Sequence, residues 1–152
     1  MKTLVVYFSK YGNTQKVAET ITSTCDANGS TRLLNLDDLE PVDLQEVDLV
    51  IMGSPTHRMN LPETAKEKLN HFPKGMLKGV QVAAFDTSYK MNWFLTQFTA
   101  SKKLAQKLRK LGGKRVVSPE TFHVMDAEGP LYEGELERAR TWVGRILEKV
   151  GN

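Results

Sequence analysis

Ser9-Lys10-Tyr11-Gly12-Asn13-Thr14 is a stretch whose residue types and spacing suit one task, holding an anion. Ser9 and Thr14 supply hydroxyl donors. Gly12 permits a backbone conformation with φ > 0 and close approach of a ligand, and Asn13 tolerates that region better than most residues. The apolar run Leu4-Val5-Val6-Tyr7-Phe8 leads into the turn. Thr14, Val17, Ala18, Ile21 and Cys25 share one helical face leading out of it. A helix starting here turns free N–H groups and about half a positive charge toward the turn, which suits a phosphate. The plainer alternative is a strand-to-helix connection with Thr14 as N-cap. A Walker loop is excluded, since no Gly-Lys-Ser/Thr follows, and the Gly-x-Gly-x-x-Gly dinucleotide pattern is missing. A phosphate-accepting receiver domain needs acids near the first strand's end, where this chain has Ser9-Lys10.

Two further polar loops follow apolar runs. Leu49-Val50-Ile51-Met52 ends at Gly53 and opens into Ser54-Pro55-Thr56-His57-Arg58-Met59-Asn60. Val80–Phe85 opens into Asp86-Thr87-Ser88-Tyr89-Lys90-Met91-Asn92-Trp93. Tyr89 and Trp93 are candidates either to stack on a planar ligand or to cover apolar surface. His57, His71 and His123 are too scattered for metal ligation. Of these, only His57 has a place near a ligand, as a contact or as loop filler. His71 reads as a helix-end or surface residue, His123 as packing beside the last strand, and Trp142 as helix packing. Cys25 is the only cysteine, so no internal disulfide exists, and its apolar helical face predicts an inert buried thiol.

Strand and helix patterns alternate along the chain to position these loops. Thr31–Leu36 reads as a second strand, and Asp37–Glu46 as an acidic connection broken by Pro41. Ala65, Leu69 and Phe72 mark a second helix with Pro62 in its first turn. Ala100, Leu104, Leu108 and Leu111 mark a third, closed by Gly112-Gly113. Arg115–Val117 and Thr121–Val124 form a fifth strand interrupted at Ser118-Pro119, and a helix from Leu136 to Val150 ends the pattern. Five strands alternating with four helices predict an α/β three-layer sandwich. Its five-stranded parallel sheet takes the order 2-1-3-4-5, one domain over residues 1–152. Ligands of such sheets bind beyond the carboxyl ends of the strands, where the order switches between strands 1 and 3. Loops after strands 1, 3 and 4 are the polar ones.

The 152 residues, 40% hydrophobic and 26% charged, fit one globular core. No apolar stretch approaches the roughly 20 residues of a membrane span, and no signal-peptide pattern opens the chain. Both point to a cytoplasmic protein. Net charge is +3. Lys102, Lys103, Lys107, Arg109, Lys110, Lys114 and Arg115 form a run without intervening acids. A solvated helix face is its ordinary reading, and docking to an acidic partner the alternative. Nucleic-acid binding is not expected, since no recognition motif or aromatic interleaving accompanies the run.

With these loops in place, the sequence resembles the flavodoxin family, proteins of this fold that bind FMN. The first loop is similar to the family's phosphate signature. Gly53-Ser54-Pro55-Thr56 is similar to the second flavin loop of a subgroup with Pro-Thr there, and Asp86-Thr87-Ser88 to a third-loop variant. The resemblance covers essentially the whole chain. It implies that Ser9, Tyr11, Gly12, Asn13 and Thr14 wrap the FMN phosphate, with Lys10 adding charge at the rim. It implies that Pro55, Thr56, His57 and Arg58 line the isoalloxazine. Asp86, Thr87 and Ser88 then lie near the ring's other side or the ribityl chain, with Tyr89 or Trp93 stacked on its face. No catalytic side chain and no metal are implied. The implied role is electron transfer between redox partners; an FMN-dependent NAD(P)H or quinone oxidoreductase, or a related oxidase, is the second reading, and a module that has lost its flavin the third.

Two departures from the family pattern carry expectations. The second loop lacks the Gly whose peptide flips toward reduced flavin, so a flip costs more and the one-electron state should not be strongly stabilised. Many flavodoxins are acidic around the ring, whereas Arg58 and Lys90 stand near it here. The two-electron couple should therefore be less negative than in an acidic flavodoxin.

Overall fold

The structure is a computed structural model that describes residues 1–57, 60–90 and 99–151. Strand β1 (Lys2–Tyr7) is followed by helix α1 (Asn13–Asp26), and β2 (Ser30–Asn35) by two short 3₁₀ turns, Leu36–Asp38 and Pro41–Leu44. Then come β3 (Leu49–Pro55), α2 (Glu63–Asn70), β4 (Gln81–Ser88), α3 (Ala100–Lys110), β5 (Lys114–Arg115), β6 (Glu120–His123) and α4 (Glu135–Val150). The strands pair in parallel in the order β2-β1-β3-β4-β5, with β6 also on β4. The expected sheet order is therefore present. The reason is legible in composition: Leu4, Val5 and Val6, like Leu49 to Met52, are buried on both faces, which only a covered parallel sheet provides.

Two cores cover the two faces. On one, Leu4, Val6, Val50, Met52, Val82 and Ala84 pack against Ala65 and Leu69 of α2 and Leu104 and Leu108 of α3. On the other, Val5, Ile51, Ala83 and Phe85 meet Val17 and Ile21 of α1 and Trp142, Val143 and Ile146 of α4. Trp142 makes edge contacts with Phe85 and Phe122, ring centroids 6.1 and 6.0 Å away, and is core as expected. The Phe85 ring occupies the space above Gly53, where an added Cβ would lie 2.0 Å from it. Cys25 is buried, and burial, with Asp26 alongside, pushes its thiol up to about 11, so it is unreactive.

Several boundaries differ from the sequence expectation. Both β3 and β4 run on through polar residues, to Pro55 and Ser88, because paired neighbours at this edge satisfy their backbone groups. Asp86, Thr87 and Ser88 are therefore strand residues rather than loop. Gly12, not Thr14, is the N-cap of α1, and Pro62 is the N-cap of α2 rather than part of its first turn. Phe72 lies beyond α2, half-buried against the core. The fifth strand is two short ones, β5 and β6, broken around Pro119, which has no N–H to donate.

Candidate functional site

The carboxyl ends of β1, β3 and β4 surround a cavity of about 450 Å³. That volume is within the usual range for an organic ligand. Three elements build its walls, and each treats its polar groups differently.

The turn after β1 leaves its donors open. Gly12 sits at φ 92°, and its N–H donates to Ser9 Oγ at 3.0 Å. This left-handed residue swings the chain so that helix α1 starts at once. Among the described residues, the amides of Lys10, Tyr11, Asn13 and Thr14 donate to no protein atom. Helix termini leave such donors for a ligand or water. Ser9, Lys10, Tyr11, Asn13 and Thr14 all line the cavity, while Gly12 shapes the turn from behind. Tyr11 is largely exposed, with the Lys10 ammonium 5.3 Å from its ring centre. Asn13 is buried against Gly129, where an added Cβ would lie 2.6 Å from Asn13 Oδ1. Thr14 is buried too, and its Oγ1 lies 2.8 Å from Thr87 Oγ1 at the end of β4. If Thr87 donates, the Thr14 proton is left to point at an anion.

The second wall is Pro55, Thr56 and the exposed His57. The Thr56 hydroxyl is turned away from the cavity. It donates to Asp86 Oδ2 at 3.0 Å and accepts from Ala100 N at 2.9 Å, the first residue of α3. Arg58 lies outside the described residues.

The third wall comes from β4. Thr87, Ser88 and Tyr89 line the cavity, with Tyr89 47% exposed at its mouth. Asp86 does not line it; it is wholly buried beneath. Its Oδ2 also accepts from Ser101 N at 2.8 Å, while Oδ1 has no hydrogen-bond partner among the described residues. Burial pushes the Asp86 carboxyl up, and the Ser101 amide with the hydroxyls of Thr121, Thr56 and Ser101 only partly opposes it. Lys90, expected near a ligand ring, places its ammonium 4.2 Å from the Tyr132 ring centre. Trp93 lies outside the described residues.

Six cavity residues escaped the sequence reading: Phe8, Pro62, Glu63, Thr64, Val124 and Ala127. The first four flank the two loops already singled out. Val124 and Ala127 follow β6, whose end reaches the same edge of the sheet and was the signal available.

His71 is exposed, its Nδ1 on the Glu67 carbonyl, and His123 lies in β6 beside β4. Among the described residues no group of His, Cys, Asp and Glu could hold a metal ion, and no helix is long and apolar enough to cross a membrane.

Charge is segregated along the chain. Between Thr64 and Pro119 stand twelve Lys and Arg residues and two acids, Glu67 and the buried Asp86. Lys102, Lys103, Lys107, Arg109, Lys110, Lys114 and Arg115 form no ion pair among the described residues. Elsewhere Arg32, Arg138, Arg140 and Arg145 are all paired with acids. Partial burial, with Lys110 and Lys66 nearby, lowers the Lys107 ammonium below its ordinary value.

Known proteins share this chain's pattern. A family model described as Flavodoxin matches residues 5–142. A flavodoxin of Clostridium saccharobutylicum is 30% identical over 156 residues, covering 99% of this chain and 98% of its own. The NADPH-dependent diflavin oxidoreductase 1 of Emericella nidulans is 32% identical over 124 residues, 74% of this chain but 18% of that protein. In fold, oxidised flavodoxin 2 of Bacillus cereus superposes with a TM-score of 0.82 at 24% identity, over 98% of this chain and 99% of that one. A flavodoxin from the domain Archaea does so at 0.77 and 21%, over the whole of both chains.

Proposed function

The chain belongs to the flavodoxin family, and from that premise we propose that it binds FMN noncovalently and carries electrons between redox proteins. The observation that carries the reading is the turn after β1. Its residues line a cavity at the positive end of a 14-residue helix, four of its amides donate to no protein atom among the described residues, and the turn has no acid of its own to occupy them. That set suits a phosphate dianion. The slot between Pro55–His57 and Thr87–Tyr89 suits a flat ring.

When bound, FMN supplies the one- and two-electron chemistry, and the protein sets binding, exposure and electrostatics. The first turn orients the cofactor by its phosphate end. Thr56, whose hydroxyl is engaged by Asp86 and Ala100 and whose N–H donates to the Thr87 carbonyl, would meet the ring with no free donor. Tyr89 at the mouth provides an aromatic face and limits water entry. Lys10 at the rim favours added negative charge in the cavity, so the two-electron couple is expected to be less negative than in an acidic flavodoxin. A redox titration giving a very low second potential would contradict this.

The cations of α3, which form no ion pair among the described residues, support docking of an acidic partner on that helix. Such charge mainly accelerates encounter. Reversing Lys103, Lys107 and Lys110 to Glu should slow electron transfer to an acidic acceptor by about tenfold at low salt and flatten its salt dependence. A rate indifferent to salt in the unaltered protein would rule the surface out. The reading places the protein in the cytoplasm, where a free Cys25 thiol stays reduced.

The deciding experiment is titration of the apoprotein with FMN and with riboflavin, followed by visible spectra. Stoichiometric uptake with FMN preferred is expected. Failure to take up FMN would end the proposal. Steady NAD(P)H–quinone turnover without an added partner would instead make the protein an FMN-dependent oxidoreductase.

A further inference from the structure

Asp86 is a fully buried carboxyl that does not itself line the cavity. Buried carboxyls without a charged partner are rare in stable cores, and each asks for a reason. Among the described residues no charged side chain offsets this one: its neighbours are the Thr56 and Ser101 hydroxyls and the Ser101 amide, with Thr121 opposite it in β6. The bonding pattern is informative. Oδ2 accepts from the Thr56 hydroxyl and the Ser101 amide, and Oδ1 has no hydrogen-bond partner among the described residues. Burial raises the proton affinity of this carboxyl.

The acid joins three things. Thr56 belongs to the second cavity loop, Ala100 and Ser101 open α3, and Asp86 itself precedes Thr87, which touches Thr14 of the first loop. A bond runs from Ala100 N–H to Thr56 Oγ1, and another from the Thr56 O–H to Asp86 Oδ2. Thr56 is thereby held with its hydroxyl inward, although a Thr lining a polar cavity would otherwise offer that hydroxyl to the ligand.

We infer that Asp86 is a positioning residue for the flavin ring, acting through Thr56: its carboxyl, buried below the cavity, fixes the face that the second loop presents to the ring and ties the start of α3 to that loop. The inference rests on the FMN reading and adds a residue that never touches the cofactor. Its signature differs from that of the phosphate turn. A defect under the ring weakens every flavin alike, whereas a defect in the phosphate turn weakens FMN more than riboflavin.

The test compares Asp86→Ala, Asp86→Asn and Thr56→Val in FMN and riboflavin titrations, visible spectra and two-electron midpoint potentials. Asp86→Ala leaves the Thr56 hydroxyl and Ser101 amide unpaired, and should weaken both flavins by the same factor, about tenfold or more, with a shifted spectrum and midpoint. Asp86→Asn keeps a carbonyl oxygen in the place of Oδ2 and should bring affinity and potential back toward wild type. Asp86→Ala and Thr56→Val combined should lose less than the product of the two single losses. Asp86→Ala with wild-type affinity, spectrum and potential would overturn the inference. So would Asp86→Asn no better than Asp86→Ala, or fully multiplicative losses. Should Asp86→Ala not fold, Thr56→Val decides alone, and wild-type values for both flavins would refute the role. Wild-type protein that takes up neither flavin would sink the FMN reading and this inference together; flavin uptake with unchanged variants would sink the inference only.

Discussion

The ends of β1 and β4 lie at the same edge of one sheet, yet they handle polar groups in opposite ways. After β1 the chain turns at Gly12, and the amides around it remain open toward the cavity. At the end of β4, Asp86 and Thr56 use their polar groups on each other and on the first amides of α3. One helix N-terminus, that of α1, is left for a ligand; the other, that of α3, is closed from within. The lesson is that a helix terminus near a cavity is not by itself a binding group. A buried acceptor supplied by a neighbouring strand removes it from use.

The contrast can be broken at either end, and the largest effect is expected on the open side. Thr14→Val removes the buried hydroxyl of the turn. It should weaken FMN by about tenfold to a hundredfold, the range of a hydrogen bond to a charged group, and leave riboflavin nearly unchanged. Parallel titrations check this, and equal losses for the two ligands would mean that the turn does not hold the phosphate. Next comes Gly12→Ala. A Cβ there meets no atom within 4 Å, so the cost is conformational, at φ 92°. A loss of about 1–2 kcal/mol in chemical denaturation is expected without ligand, and FMN affinity should fall because the open amides turn with the backbone.

The smallest effect is on the closed side and concerns pH. The folded Asp86 carboxyl titrates above its ordinary value of 3.8 because it is buried. A carboxyl raised in the folded state favours folding fully only below its unfolded value, and that contribution is lost as pH rises through the folded value. Asp86→Asn cannot ionise. Its melting temperature relative to wild type should climb with pH above about 4 and level off once the folded acid has ionised. A difference that does not vary with pH would show that Asp86 titrates alike in both states.

Much of this site is legible in the chain. Ser9 to Thr14 announce an anion turn through Gly12, two hydroxyls and a following amphipathic helix, all local features. Pro55, Thr56, Thr87 and Tyr89 fall beside the cavity because a parallel sheet puts the carboxyl ends of all its strands at one edge. Less legible were the polar continuations of β3 and β4. An apolar-run reading stops at the first polar residue, while Ser54, Asp86 and Thr87 remain in the ladder through partners far along the chain. Val124 and Ala127 were missed for a related reason, since β6 is only four residues long and its outlet reads as ordinary loop.

Local order in the sequence thus determined the elements, the sheet order, the place of the cavity and the turn that suits a phosphate. Each follows from periodicity, glycine freedom and the handedness of crossovers, which act over neighbouring residues or whole elements. The direction of individual polar groups was decided only in the folded molecule. Asp86 reads as a loop acid in the chain and becomes a fully buried carboxyl because β4 is covered on both sides. The Thr56 hydroxyl faces inward because Asp86, 30 positions later, and the Ala100 amide, 44 positions later, meet it there. Such pairings depend on which distant groups packing brings within about 3 Å, and no local pattern encodes that distance.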